Sequence, residues 1–326
     1  MDAKQLRIVY MGTPDFAVEP LRRLVEGGYR IVGVVTVPDK PAGRGLKVHQ
    51  SAVKSYAAEA LPEVPLLQPV KLKDPAFVEA FRALEADLAI VVAFRMLPEV
   101  IWGMPRLGTF NLHASLLPQY RGAAPINWAV INGETKTGVT TFLLNHEIDC
   151  GVVLMQREVP IAEQDTAGVV HDALMEVGAA LVLETVEALA SGAVKPMVQP
   201  ECSAEGLKPA PKIFKENCRL TAADRSWRDY PVRELYNKVR GLSPYPGAWC
   251  DFRGTTLKVL AAHYELYPSA QEVATAETAL SENAFESDGR SWLRVACADG
   301  WLYIDQLQAA GKRAMPTADF LRGYRF

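Results

Sequence analysis

Several features are scarce or missing in this sequence of 326 residues, and each makes a class of protein improbable. Its five cysteines are scattered and form no C-x-x-C pair, so neither a zinc site nor a disulfide framework is indicated. No apolar run approaches the roughly 20 residues of a membrane span. The N-terminal residues lack the basic stretch and apolar core of a secretion signal. We therefore expect a cytoplasmic protein that needs no metal and no membrane.

Two nucleotide-binding patterns are also absent. The turn GTPDF (12–16) follows a strand-like run but lacks the G-x-G-x-x-G spacing of nicotinamide and flavin sites, and no Walker A sequence occurs. The net charge of −3 does not suggest a strongly basic nucleic-acid binder. Residues 208–260, however, hold 11 Lys and Arg against 5 Asp and Glu. This stretch is either a basic face for a phosphate backbone or an ordinary solvated surface.

Residues 1–205 alternate between apolar runs and segments with apolar residues at helical spacing. This alternation predicts an α/β fold with a Rossmann-like, doubly wound, mostly parallel sheet and helices on both faces. Strands are predicted at 6–12, 31–37, 87–93 and 109–113, and helices at 17–28, 51–60, 74–86 and 166–192. Segments 138–144 and 151–160 predict a β-pair joined through the turn that carries Asp149.

The rest of the chain has a different pattern. Residues 196–217 are rich in Pro, Lys and small residues, which is typical of an interdomain linker. A helix is predicted at 232–242, followed by short strands at 248–252, 255–265, 291–297 and 301–308. These strands suit a small barrel. We predict a domain at 1–205 and a smaller β-rich domain at 206–326, in a monomer because no coiled-coil pattern or association motif is evident.

Asn111 and His113 lie two apart at the end of the predicted strand TFNLH (109–113). Residues two apart on a strand point to the same face, and open α/β sheets place their ligand crevice at the carboxyl ends of strands. A carboxamide can donate to a developing oxyanion, and an imidazole can move a proton or stabilise charge. Asp149 can orient the imidazole and favour its charged form. The set suits acyl transfer to a nucleophile that the substrate supplies.

Each of these residues also has a simpler interpretation. Asn111 alone would be a turn residue, His113 a structural histidine, and Asp149 part of a turn between strands. The functional interpretation depends on their combination and on the loop after His113.

That loop carries a family resemblance. The segment NLHASLLPQYRGAAP (111–125), followed by IDCG (148–151), resembles the folate-dependent formyltransferases. Further segments are similar to the branch of this family that formylates methionyl-tRNA: GTPDF (12–16), VTVPDKPAGRGLKVHQ (35–50), APKIFKENCRLTAADRSW (210–227) and VRGLSPYPGAWCDF (239–252). The similarity runs over essentially the whole chain. It implies a formyltransferase catalytic domain followed by an OB-like tRNA-binding domain.

The resemblance also implies substrates and site residues. Formyl would pass from 10-formyltetrahydrofolate to the α-amine of methionyl-initiator-tRNA, without a metal. The implied catalytic residues are Asn111, His113 and Asp149; the implied folate contacts are Ser115, Leu116, Leu117, Pro118, Val92, Phe94 and Met96; and the implied tRNA contacts are Arg44, Lys47 and Lys40. Phe94-Arg95 departs from the family's Tyr-Gly, which affects the detailed pterin contacts.

Simpler interpretations and other functions fit parts of the same pattern. SLLP (115–118) could be a plain surface turn, and PDKPAGRGLKVHQ (38–50) a mobile cationic loop. A sugar N-formyltransferase acting on a nucleotide-linked aminosugar would share the catalytic set. So would a 10-formyltetrahydrofolate hydrolase, whereas a folate- or tRNA-binding module would not need it. The basic loop and the basic stretch at 208–260 favour an RNA substrate.

Overall fold

The computed structural model of the chain describes residues 2–42, 47–201, 204–267 and 285–324. It contains two compact units. The first comprises Met1–Pro125, Thr137–Pro160 and His171–Ala210, and the second Ile126–Lys136, Ile161–Val170 and Pro211–Phe326. The domain boundary between residues 205 and 206 stays a prediction.

The first unit is built around a sheet of seven strands. In chain order, the strands of the unit are β1 (Ile8–Gly12), β2 (Ile31–Val35), β3 (Lys40–Ala42), β4 (Lys47–His49), β5 (Leu66–Leu67), β6 (Leu88–Val92), β7 (Thr109–His113), β8 (Lys136–Leu143) and β9 (Val153–Pro160). The sheet order is β5-β2-β1-β6-β7-β8-β9, while β3 and β4 form a separate antiparallel pair. Pairing is parallel from β5 through β7 and antiparallel between β7 and β8.

The central strands are buried on both faces, which explains their continuous apolar sequence. Every residue of β1 and of β6 is buried. The helices along this part of the chain are α1 (Val18–Glu26), α2 (Ala52–Ala60), α3 (Pro75–Ala83), α4 (Glu99–Trp102), α5 (Pro125–Ile131) and α6 (Ala167–Ser191). Ser51 caps α2 by accepting from the Lys54 amide, and Asp74 caps α3 ahead of Pro75.

The second unit is built around an antiparallel β-sheet. Its named elements are α7 (Val232–Gly241), β10 (Ala248–Phe252), β11 (Thr255–Leu266), β12 (Phe285–Ser287), β13 (Leu293–Ala296), β14 (Gly300–Ala309), β15 (Met315–Pro316) and α8 (Thr317–Arg322). The order is β10-β11-β14-β13-β12, with β15 on β14. Arg253 and Gly254 both have positive φ (47° and 77°) in the turn from β10 to β11, as a two-residue hairpin turn requires.

The predicted fold class is confirmed: a parallel-rich α/β unit precedes an antiparallel β-rich one. Cys150 is disulfide-bonded, whereas Cys218, Cys250 and Cys297 are free and buried. Among the described residues, no helix is both long and apolar enough to cross a membrane.

Candidate active site

The carboxyl end of β7 carries the predicted Asn111 and His113. Asn111 stands opposite Val91 of β6 and Phe142 of β8, and His113 stands opposite Thr140. Because they are two apart on one strand, both side chains lie on the same face of the sheet. The β7 boundaries match those predicted for this strand.

The carboxamide of Asn111 has no partner within the described part of the chain. Its Oδ1 is buried without a hydrogen bond, and no described group accepts from Nδ2. Buried side-chain amides normally find partners, so this exception needs a reason. A donor that the protein leaves unused is available to a reacting oxygen.

The imidazole of His113 is almost fully buried and held by one ring nitrogen. Nε2 lies 2.9 Å from the backbone oxygen of Tyr120, which can only accept, so Nε2 carries the hydrogen. In the neutral ring, Nδ1 then has a free lone pair. Nδ1 lies 3.9 Å from Oδ2 of Asp149, too far for a hydrogen bond but close enough for an ion pair once the ring gains a proton. His113 is therefore placed as a base beside a carboxylate.

Asp149 lies in the loop between β8 and β9 and has a left-handed backbone, with φ of 55°. Aspartate is among the few non-glycine residues that adopt this conformation readily. Its Oδ2 accepts from the Gly122 amide at 2.9 Å, which leaves it facing His113. Two residues on, a Cβ on Gly151 would lie 1.6 Å from the Leu143 backbone oxygen, so only glycine fits there. The path of this loop is closely specified.

Arg121 and Gln199 both donate hydrogen bonds to the backbone of this loop. Arg121 Nε and Gln199 Nε2 both donate to the backbone oxygen of Asp149, at 3.1 and 3.0 Å. The Arg121 guanidinium also donates to Gln199 Oε1, and burial lowers the pKa of this guanidinium. Gln199 could not be predicted from the sequence, since a single glutamine 50 residues beyond Asp149 carries no local signal.

The SLLP segment is fixed by hydrogen bonds within the first unit. Ser115 is fully buried and donates from Oγ to the Gln119 backbone oxygen at 2.6 Å. Thr140 Oγ1 donates to the Ser115 oxygen and accepts from the Leu117 amide, and Gln156 Nε2 donates to the Leu117 oxygen. The peptide bond between Leu117 and Pro118 is cis. Backbone groups of Ser115 and Leu117 are therefore hydrogen-bonded within the protein. The assignment of Ser115, Leu116, Leu117 and Pro118 to folate stays a prediction.

The second predicted folate segment, which follows β6, has mixed exposure. Val92 is fully buried, Phe94 is partly buried and Met96 is 73% exposed. Arg95, the departure from the family pattern, donates to the backbone oxygens of Pro69 and Val70 and lies over the Phe94 ring. Val92 therefore offers no side-chain surface to a ligand, whereas Phe94 and Met96 do.

The predicted tRNA contacts lie around β3 and β4. Lys40 begins β3 and pairs with His49, and Lys47 begins β4 and pairs with Ala42. Arg44 lies outside the described residues. The structure does not bring these residues to Asn111, His113 and Asp149 in any described contact.

An α/β sheet that presents a carboxamide, an imidazole and a carboxylate at its strand ends is suited to group transfer. Comparison with known families makes this specific. The model described as "Formyl transferase" matches residues 6–186, and that of "Formyl transferase, C-terminal domain" matches residues 212–325. The chain belongs to the formyl transferase family.

Relatives agree with this family, and solved structures share the fold. The chain is 55% identical to methionyl-tRNA formyltransferase of Bacteroides thetaiotaomicron, over 100% of this chain and 98% of the relative. It is 56% identical to the enzyme of that name in Parabacteroides distasonis, with the same coverage. HypX from Aquifex aeolicus, solved with tetrahydrofolic acid, shares the fold at 20% identity and a TM-score of 0.63, over 97% of this chain and 47% of HypX. The sugar 3N-formyl transferase WlaRD, solved with dTDP and 5-N-formyl-THF, does so at 16% identity and 0.64, over 94% and 99%.

Proposed function

We propose that this protein transfers the formyl group of 10-formyltetrahydrofolate to the α-amine of methionyl-initiator-tRNA, giving the N-formylmethionyl-tRNA that starts translation. The observation that carries the proposal is the pairing of His113 with Asp149, together with Asn111 on the same strand as His113, whose Oδ1 is buried without a partner among the described residues. Relatives named for this activity, more than 50% identical over the whole chain, support the choice of substrate.

The proposed chemistry needs an oxyanion donor and a route for one proton. The neutral α-amine attacks the formyl carbon, and the new C–N bond turns the formyl oxygen into an oxyanion. Asn111 donates to this oxygen through Nδ2. An unperturbed α-amine has a pKa of about 7.7–8.0, so part of it is neutral near pH 7.

The attacking nitrogen must lose a proton, and N10 of the folate must gain one. His113 takes the proton on Nδ1, and the carboxylate of Asp149 stabilises the resulting imidazolium. The proton then passes to N10, and the oxyanion re-forms the carbonyl as the bond between the formyl carbon and N10 breaks, which releases tetrahydrofolate. The reaction balances without a covalent enzyme intermediate or a metal.

The remaining contacts belong to the same proposal. The loop 115–118 and the side chains of Phe94 and Met96 bind the folate, and Val92 contributes only through its backbone. The loop with Lys40, Arg44 and Lys47 binds the tRNA, as does the basic stretch 208–260 of a C-terminal tRNA-binding domain at 206–326. The protein acts as a monomer in the cytoplasm, where charged tRNA is available.

The test is a formylation assay with purified protein, 10-formyltetrahydrofolate and methionine-charged initiator tRNA, read by mass spectrometry. We expect catalytic formation of formylmethionyl-tRNA, and much less product from charged elongator methionine tRNA. A panel of nucleotide-linked aminosugars is the parallel arm. Product from a sugar and none from tRNA would contradict the proposed substrate and retain the formyl-transfer chemistry.

A further inference from the structure

The backbone oxygen of Asp149 accepts two hydrogen bonds from side chains that come from separate parts of the chain. Arg121 Nε reaches it from the segment after SLLP, at 3.1 Å, and Gln199 Nε2 reaches it from the segment after α6, at 3.0 Å. The amide of Gln199 also donates to the backbone oxygen of Gly151, at 2.7 Å. The loop that carries the carboxylate is therefore held on both sides of Cys150.

Arg121 and Gly122 contact Asp149 at two points. The Arg121 side chain binds the backbone oxygen of Asp149, and the backbone amide of Gly122 binds its carboxylate at 2.9 Å. Two contacts from adjacent residues fix both the position and the rotation of the Asp149 side chain. A change at Arg121 would release one of these two contacts.

This arrangement has a cost, which indicates that it serves more than stability. Asp149 keeps a left-handed backbone. Arg121 is partly desolvated, which lowers the pKa of its guanidinium. Its Nη1 atom is buried and has no acceptor in the part of the chain that the structure describes. Non-glycine residues with a left-handed backbone and partly desolvated charges are concentrated at functional sites.

We infer that Arg121 and Gln199 are positioning residues, which act on formyl transfer by holding Asp149 against His113 rather than by touching either substrate. The inference rests on the proposed function. Arg121 and Gln199 also bind each other, because Arg121 Nη2 donates to Gln199 Oε1 at 2.7 Å. Loss of either is expected to misplace the carboxylate.

A double-mutant cycle separates positioning from other roles. Arg121→Ala is expected to lower kcat by about 10–100-fold, because small displacements of catalytic groups have effects of this size, while both KM values change by less than about threefold. In an Asp149→Asn background, the same replacement should lower kcat by less than about twofold, since the group that Arg121 holds no longer functions. Arg82→Ala is the matched control, because Arg82 pairs with Glu79 on the surface of α3.

A second variant covers the case in which Arg121→Ala does not fold. Gln199→Ala removes the other donor to the same oxygen and should show the same dependence on Asp149, with thermal unfolding measured for every variant. Equal losses of kcat in both backgrounds, or a raised KM with unchanged kcat, would overturn the inference. Failure of the wild-type protein to formylate methionyl-tRNA would instead count against the proposed function, so the two failures are distinguishable.

Discussion

The loop around Asp149 and the segment 94–96 follow different strands of the same sheet and are built in opposite ways. Asp149 is held at its carboxylate and at its backbone oxygen by three donors. Met96 is 73% exposed, and Phe94 is partly buried beneath the Arg95 guanidinium. One region is fixed by hydrogen bonds, and the other presents apolar side chains to solvent.

The difference matches what each region has to do in the proposed reaction. Groups that move a proton or stabilise charge must be in place before the reaction, because reorganisation during the reaction would raise the barrier. A surface that receives an aromatic ring needs apolar area and can adjust. Asn111 combines both properties, since it lies on a central strand and has no partner of its own among the described residues.

The largest effect should come from Asn111, which combines the two properties. Asn111→Ala is expected to lower turnover by about 10²–10³-fold, which is typical for loss of one oxyanion donor. The melting temperature should stay at or above that of the wild type, because the replacement removes a buried acceptor that has no partner among the described residues. Steady-state kinetics and thermal unfolding measure the two effects. Near-normal turnover in a folded variant would remove Asn111 from the mechanism.

An intermediate effect is expected at Gln156, which donates a hydrogen bond to the SLLP loop. Gln156→Ala removes the donor to the Leu117 oxygen and to Thr140 Oγ1. A neutral hydrogen bond contributes about 0.5–1.5 kcal/mol, so the KM for the folate should rise by about 3–10-fold and kcat should change less. Gln308→Ala is the control, because the Gln308 amide donates to the Lys312 oxygen at an exposed position of the second unit. A loss confined to kcat would place the loop with the catalytic groups rather than with the folate.

The same contrast explains how much could be predicted from the sequence. β7 was predicted with its observed boundaries because a short apolar run ends in polar residues, and the shared face of Asn111 and His113 follows from strand geometry. β5, α4 and α8, which have two, four and six residues, are too short for a periodic pattern to develop.

Contacts between distant segments could not be predicted in this way. The bonds of Gln199 to the Asp149 loop, and of Thr140 and Gln156 to Ser115 and Leu117, depend on how strands and loops meet in space. No local spacing encodes them. The sequence therefore indicates the proposed reacting groups but not the residues that contact them.

The smallest effect should come from the segment 94–96, at Met96. Because the side chain is 73% exposed, Met96→Ala should leave the melting temperature within about 1 °C, as is usual for surface substitutions. If Met96 packs on the folate, loss of roughly 40 Å² of apolar contact at about 25 cal/mol/Å² corresponds to about 1 kcal/mol, or a KM about fivefold higher. Met197→Ala, at a position 52% exposed in the same unit, controls for general surface effects. An unchanged KM for the folate would show that residues 94–96 are not part of the folate-binding surface. The loop around Asp149 alone would then define the site.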